Sequence, residues 1–304
     1  MAAIALISAT VVVTTRNRKD DLRTCLRSVV GQDVRVEIIV IDDASEDGTA
    51  EMVASEFPNV KLISHSRMQG YIRGRNEAAH LAGGDVIVSL DDDAVFASDR
   101  IIAETLECFD DDRVAAVAIP YVDVNREPIV RQAAPDRRAS YVVESFIGTA
   151  HAVRRRVFLQ SGGYREELFH QGEESDLCVR LLAAGYVVRL GSSGAIHHFE
   201  SPRRDFQRMD HYGPRNAILF AWQNVPFPTA LVQIPATIAG VLLLTLQPSR
   251  LLARLGGVVD GLASCARFER KPVPGGVYRL WRRMRKASTP LRLDDVAAEL
   301  VARR

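Results

Sequence analysis

Apolar runs alternate with helix-period segments through the first 120 positions, the signature of a parallel α/β sheet. Strands are predicted at Ile4 to Thr14, Val36 to Ile41, Val60 to Ser64, Val86 to Leu90 and Val114 to Ile119. Between them, Asp20 to Val30 sets Leu22, Leu26 and Val29/Val30 on one helical face, and Gly48 to Phe57 and Ile101 to Phe109 behave similarly. From Tyr121 to Tyr141 the pattern fades into a connection containing Pro, Arg and Asp, expected to be a variable loop over the site. Order returns at Gly148 to Val153, then a helix from Arg154 to Ser161, a Gly162-Gly163-Tyr164 turn, a helix to Ala184, and strands at Tyr186 to Leu190 and Ala195 to Phe199.

Polar residues gather where the predicted strands end: Thr14 to Asn17 after the first, Asp42-Asp43 after the second, and Asp91-Asp92-Asp93 after the fourth. Open sheets of this kind bind ligands outside the carboxyl ends of their strands. A buried strand should not end in three adjacent carboxylates unless something positive meets them. A divalent cation is the obvious candidate, because oxygen-rich sites suit Mg2+ or Mn2+ with phosphate oxygens completing the shell. The bland alternative is a solvated acidic loop, with Ser98 or Asp99 capping the next helix.

At 304 residues, 47% hydrophobic and 25% charged, the chain is long enough for one large domain plus an appendage and is not a disordered protein. Cys25, Cys108, Cys178 and Cys265 lie far apart, so neither a zinc knuckle nor a disulfide framework is expected, and a reducing, cytosol-facing location fits best. The start is apolar but lacks a basic leader region, which favours a first strand over a signal peptide. The net charge of +1 hides an asymmetry: residues 250–304 carry a net +8 and residues 1–249 a net −7. Before the basic tail, Asn216 to Ser249 contains no charged residue. Pro226, Pro228, Gln233, Pro235 and Gly240 interrupt that stretch, leaving a membrane span, an in-plane segment and a buried core helix over residues 227–246 all open. The adjoining Arg282-Arg283-Met-Arg285-Lys286 favours contact of residues 216–304 with an anionic membrane surface. Nucleic acid is not expected as a partner, because phosphate binding would not explain the apolar neighbour.

Five motifs in order carry a family resemblance. They are Val13-Thr-Thr-Arg-Asn-Arg18, Val40-Ile-Asp-Asp-Ala-Ser-Glu-Asp-Gly-Thr49, Gly70-Tyr-Ile-Arg-Gly-Arg-Asn76, Leu90-Asp-Asp-Asp93 and Gly172-Glu-Glu-Ser-Asp-Leu-Cys-Val-Arg180. Together, from about Ile4 to Phe199, they resemble the family 2 glycosyltransferases, inverting enzymes with the GT-A nucleotide-sugar-binding fold. The resemblance implies an α/β domain over residues 1–200, with a mostly parallel central sheet flanked by helices. Residues 1–120 would form its nucleotide-binding half and 121–200 its acceptor and base half. An apolar and basic helical region over 201–304 would be apposed to the membrane. Tyr212-Gly-Pro-Arg-Asn216, with the apolar stretch and basic helices after it, looks like the tail of bacterial rhamnosyltransferase-like members, which extend cell-surface glycans on lipid carriers.

The resemblance also implies roles. Asp43 would accept a hydrogen bond from a pyrimidine base, with Thr14 and Arg16 lining the pocket; an Asx turn is its structural alternative. Arg75 would bind the donor, its fork suiting carbonyl or phosphate oxygens. Asp93 would reach a Mn2+ or Mg2+ ion on the donor diphosphate, and Asp92 or Asp91 the ribose and sugar. His197 or His198 could add a ligand or a diphosphate contact, and the expected metal set is Asp93, Asp91 and His197. Glu174 sits where the family's catalytic base usually lies, with Glu173 beside it as the other candidate. The alternative is helix capping, a job Asp176 could perform instead. Met68 and Arg165 depart from the family's usual residues.

The implied activity is metal-dependent transfer of a sugar, with inversion, from a UDP- or dTDP-linked donor to a glycan or lipid-linked acceptor, at the cytoplasmic face of the cell membrane. A sugar-nucleotide pyrophosphorylase would need a Gly-rich phosphate loop after the first strand, and Thr14 to Lys19 contains no glycine. A non-catalytic nucleotide-binding membrane scaffold would be expected to lack Asp91, Asp93 or Glu174.

Overall fold

The computed structural model describes residues 7–200, 206–244 and 247–302. The first residues of the expected opening strand, Ile4, Ala5 and Leu6, and the end of the apolar stretch, Thr245 and Leu246, lie outside them. Strands β1 (Ala9–Thr15), β2 (Glu37–Asp42), β3 (Lys61–Ser64) and β4 (Val86–Asp91) alternate with helices α1 (Lys19–Val30), α2 (Thr49–Glu56) and α3 (Tyr71–Leu81). These follow the predicted pattern within a few residues, and α1 buries Leu22, Cys25, Leu26 and Val29 at helical spacing. Then come β5 (Ala94–Phe96), α4 (Ile101–Glu107), β6 (Val114–Ala118), β7 (Tyr121–Asp123), β8 (Glu127–Arg131), β9 (Tyr141–Val143), β10 (Ala150–Arg154) and α5 (Arg155–Gln160). The chain continues through α6 (Glu173–Ala183), β11 (Val187–Leu190), β12 (Ile196–His198), α7 (Phe206–Asn224), α8 (Thr229–Leu244), α9 (Pro248–Cys265), α10 (Gly275–Lys286), β13 (Leu291–Arg292) and α11 (Leu293–Ala302).

The main sheet runs β13-β9-β11-β6-β10-β4-β1-β2-β3. Four of its pairings are parallel and the four made by β9 and β10 are antiparallel, so the sheet is mixed, with every strand but those two running the same way. The antiparallel insertion matters for function. Because β10 runs against β4, with Ala150 opposite Leu90, the segment entering β10 lies at the rim where β4 releases Asp91.

One reading needs correction, and the expected helical region after residue 200 needs an addition. The connection between Tyr121 and Tyr141 is not a featureless loop: β7 and β8 form a hairpin, and β7 joins β12 and β5 in a second sheet ordered β5-β12-β7-β8. The alternation signal failed because β8 contains Pro128 and is exposed along its whole length, with no buried face to encode. The region after residue 200 is not only helical either. Strand β13 extends the main sheet, and Val277, Tyr278, Leu280, Trp281 and Met284 of α10 share a core with Val11 and Val13 of β1. Among the described residues no helix is long and apolar enough to cross a membrane.

One buried carboxylate fastens these parts together. Asp176 in α6 is fully buried; its Oδ1 accepts from Arg165 Nη1 (2.6 Å) and Asn224 Nδ2 (2.7 Å), and its Oδ2 from Arg180 Nε (3.0 Å). It therefore joins the 163–165 turn, α6 and α7, and it does not cap the helix. Arg165, one of the two departures from the family pattern, is its partner. Removing the carboxylate strands two cations in a largely dry site, which costs about 3 kcal/mol. Asp176→Ala is expected to lose about that much stability in urea unfolding, while Asp20→Ala, at an 83% exposed side chain, should stay within about 0.5 kcal/mol of the parent. Equal stabilities for the two variants would contradict this account.

Candidate active site

The register of the sheet assembles the site. Thr14 lies opposite Asp91, and Thr15 opposite Asp42, so the ends of β1, β2 and β4 share one rim. The acidic triplet there is met by arginines. Arg75 Nη2 lies 2.5 Å from Asp91 Oδ1, and Arg18 Nη1 lies 3.1 Å from Asp92 Oδ1 and 2.6 Å from Asp93 Oδ2. Thr15 Oγ1 donates to Asp92 Oδ2 at 2.8 Å, and His198 Nε2 stands 3.3 Å from Asp93 Oδ1. Asp92 thus faces inward, while Asp91 and Asp93 face the histidine.

The electrostatics follow from this packing. Burial pushes Asp92 up to about 7, against the pull of Arg18 and with the help of Asp93. For Asp93, burial also acts upward, but His198 and Arg18 outweigh it and the carboxyl sits below its usual range. Burial would depress His198, yet Asp93 raises it above the ordinary histidine value. One ligand atom each from Asp91, Asp93 and His198 fall within 4.8 Å of one another. Two carboxylates and an imidazole that converge in this way fit a small divalent ion of the Mn2+ type. The histidine is His198, not His197: successive residues of β12 point to opposite faces, and it is the second that reaches Asp93.

Asp43 is 7% exposed, and its carboxylate is already engaged. Oδ1 accepts from the Gln69 N–H (2.7 Å) and Oδ2 from the Gly70 N–H (2.9 Å), so it fastens the turn into α3. The Asx turn proposed as its alternative role falls to Asp47, whose Oδ1 accepts from the Thr49 N–H two residues on, while Asp42 Oδ1 accepts from the Ser45 N–H. His65 stands behind, with Nδ1 3.3 Å from Asp43 Oδ1 and Nε2 2.8 Å from Glu77 Oε2. Thr14 is half-buried in the same wall, and exposed Arg16 turns its guanidinium to Met68 Sδ.

Gly172, at φ +88°, takes the left-handed turn that starts α6 and places Glu173 and Glu174 in its first turn. Glu173 is 1% exposed, with neither carboxylate oxygen hydrogen-bonded and Arg75 Nη1 3.7 Å away. Glu174 is only partly buried. Burial raises both acids, and for Glu173 the neighbouring Glu174 adds to it; for Glu174 the N–H groups of Glu174 and Gly148 and the Arg75 charge act in the opposite direction. At Gly148 a Cβ would lie 2.8 Å from Glu174 Oε1 and 3.1 Å from Arg75 Nη1, so a side chain there would push the ends of both groups from their places. The loop before α6 is tied to α7: Asn216 Nδ2 donates to the Leu168, His170 and Gln171 carbonyls, and Arg215 Nη1 to that of Glu167.

The structure therefore brings Thr14, Asp43, Arg75, Asp91, Asp92, Asp93, Glu173 and Glu174 to one rim. Sequence reasoning assigned no role to three contributors and left a fourth undecided. Arg18 ends the first of the five motifs without an assigned role, Gly148 opens a segment read only as ordered, His65 follows β3 without any motif, and His198 was the alternative to His197. Only His198 carried a usable signal, the period of the strand.

A family model described as glycosyl transferase family 2 matches residues 10–162. The chain is 29% identical over 195 residues to the O-antigen chain rhamnosyltransferase WbaN of Salmonella anatum, and 27% identical over 191 residues to RfbN of Salmonella typhimurium, also named an O-antigen chain rhamnosyltransferase. Each match covers 57% of this chain and spans only 60% of the relative's length. Among solved structures, a mannosyltransferase from Pyrobaculum calidifontis, in complex with GDP-Man and Mn2+, superposes with a TM-score of 0.59 at 20% identity, covering 97% of this chain and 85% of that one. S. aureus TarS 1-349 in complex with UDP-GlcNAc gives 0.63 at 13% identity, covering 97% and 91%. These likenesses show a GT-A-like fold.

The Asp43 wall has a pH signature. Burial would lower the His65 pKa, but Glu77 and Asp43 together raise it. A raised folded-state pKa stabilises fully below the unfolded value near 6.5, and the contribution is lost as pH rises through the folded value. Urea unfolding of His65→Gln against the parent should show a larger stability deficit at pH 6 than at pH 9. A deficit that grows with pH would contradict the pairing.

Proposed function

The chain belongs to glycosyl transferase family 2, and on that premise we propose that it is a metal-dependent inverting transferase using a UDP- or dTDP-linked sugar and a glycan or lipid-linked acceptor. The observation that carries this reading is the position of Arg75. Fully enclosed, it touches Asp91 on one side and approaches Glu173 on the other, so the acidic rim and the glutamate pair belong to one cleft. Names of relatives support the finer choice: two are O-antigen chain rhamnosyltransferases, which favours a deoxyhexose and a cell-surface glycan.

A divalent ion, Mn2+ or Mg2+, held by Asp93, Asp91 and His198 would supply Lewis-acid neutralisation of the leaving nucleoside diphosphate. The chain's own residues do the rest. Glu174 accepts the proton of the acceptor hydroxyl as the oxygen attacks the anomeric carbon, and one displacement inverts that centre. Its partial exposure makes it reachable, whereas Glu173 is sealed and serves to hold Arg75 in place. Arg75 and the Gly148 N–H orient the base. Asp43 holds the Gln69–Gly70 turn that walls the nucleotide side.

The acceptor's setting supports membrane contact. The exposed positions of α8 include Leu231, Val232, Pro235, Ala236, Ala239, Leu242 and Leu243, which fall on one helical stripe and are all apolar. Helix α10 buries Trp281 and Met284 and exposes Arg279, Arg282, Arg283, Arg285 and Lys286. The two helices adjoin, since Tyr278 Oη donates to Gln233 Oε1 at 2.5 Å. An apolar stripe beside a cationic face suits in-plane seating on an anionic leaflet at the cytoplasmic side.

Glu174→Gln is expected to keep UDP or dTDP affinity within about threefold and to lower kcat by roughly a thousandfold, the scale of a lost general base. Asp93→Asn should lose Mn2+-dependent turnover. Release of nucleoside diphosphate from a panel of nucleotide sugars checks both, and full activity in either variant would overturn the corresponding role. For the membrane, the triple change Arg279→Gln, Arg282→Gln and Arg285→Gln should weaken sedimentation with phosphatidylserine vesicles about one hundredfold, at ~1 kcal/mol per charge. Unchanged binding would contradict the seating.

A further inference from the structure

Among the described residues, Arg18 is the one cation at the rim that is both paired to the proposed metal ligand and able to leave. Its Nη1 alone bridges two carboxylates, at 3.1 Å from Asp92 and 2.6 Å from Asp93, yet its side chain is 36% exposed. Arg75, by contrast, is 6% exposed and held by Asp91 and the Gly148 carbonyl. The backbone beneath Arg18 is fixed independently of its side chain. Asn17, at φ +53°, donates its N–H to Ser45 Oγ (2.9 Å) and accepts the Glu46 N–H on Oδ1 (2.8 Å), while the Lys19 N–H donates to Asp47 Oδ2 (3.0 Å). The guanidinium can therefore swing on a stationary loop. The carboxylates it would release are not left bare, since Asp92 keeps Thr15 Oγ1 at 2.8 Å and Asp93 keeps His198 at 3.3 Å.

We propose that Arg18 is a built-in counter-ion on Asp92 and Asp93 that opposes binding of a divalent cation at the adjoining Asp91–Asp93–His198 cluster until its guanidinium swings away. The physical reason is repulsion across one carboxylate. Asp93 Oδ1 stands beside His198 while Oδ2 holds the guanidinium at 2.6 Å, so an ion taken up by Asp93 lies close to the Arg18 charge, and two cations sharing one carboxylate repel one another. Arg18, Arg75 and His198 together answer the three aspartates, so the rim stays compact without metal. The same pairing makes metal binding weaker than the ligand set alone would give. This inference rests on the metal-dependent reading above, and concerns how that site is kept before the donor arrives.

The test is Mn2+ binding to the full chain without nucleotide, measured by the loss of the free-ion electron paramagnetic resonance signal. Arg18→Gln and Arg18→Met should each bind Mn2+ at least about tenfold more tightly than the parent. Arg18→Lys, which keeps the charge, should stay within about threefold of the parent. Arg16→Gln removes the same charge from the same segment without touching Asp92 or Asp93, and should also stay within about threefold. An equal gain in Arg16→Gln would show a general field effect and overturn the proposal, as would unchanged or weaker Mn2+ binding in both Arg18→Gln and Arg18→Met. If Arg18→Gln and the parent both fail to bind Mn2+ at millimolar concentration, the metal assignment falls and this proposal with it. If they bind equally, the proposal alone falls.

Discussion

Three adjacent carboxylates at the end of a buried strand are expensive unless cations answer them, and that requirement organises this molecule. Water is largely excluded from the rim, so each carboxylate needs a partner within contact distance. Arg75 answers Asp91 from a position with almost no solvent access, and Arg18 answers Asp92 and Asp93 from the edge. Because Arg75 is held between Asp91 and the buried Glu173, neutralising the rim also fixes the distance between the acidic cluster and the glutamate pair. Charge balance and the geometry of the proposed active site are therefore the same set of contacts.

The rest of the fold serves to hold those contacts in place. The antiparallel β10 in this mixed sheet brings Gly148 to the rim, where a side chain would displace the ends of Glu174 and Arg75. Asn216 and Arg215 of α7 grip the carbonyls of the loop before α6, and Asp176 locks α6 to α7 and to the turn at residue 163. The region beyond residue 200 is thus a structural partner of the catalytic cleft. Its α10 completes the main core on one side and exposes a row of cations on the other.

Legibility followed burial. The early strands β1, β2 and β4 carry runs such as Val11 to Val13 and Val86 to Val88 that lie inside the sheet, and both their type and their position could be read directly. The rim residues were legible because polar groups at three strand ends are unusual, and because five ordered motifs placed them in a glycosyltransferase family. The hairpin β7–β8 was not legible, as an exposed strand with a proline has no alternation to show. Arg18 was illegible for a different reason: its partners are 74 and 75 residues away, and only the β1–β4 register brings them together. His65 reaches Asp43 through the β2–β3 register instead. The choice between His197 and His198 needed only the strand period and a known facing side.

The most direct measurement of the central claim is anomalous diffraction at the manganese edge from crystals grown with Mn2+ and UDP or dTDP. The account predicts a single ion bonded to Asp93 and His198, within the cavity that Glu174 borders, with the Arg18 guanidinium no longer on Asp93. An ion bound elsewhere, with nucleotide present and Asp93 still paired to Arg18, would contradict it.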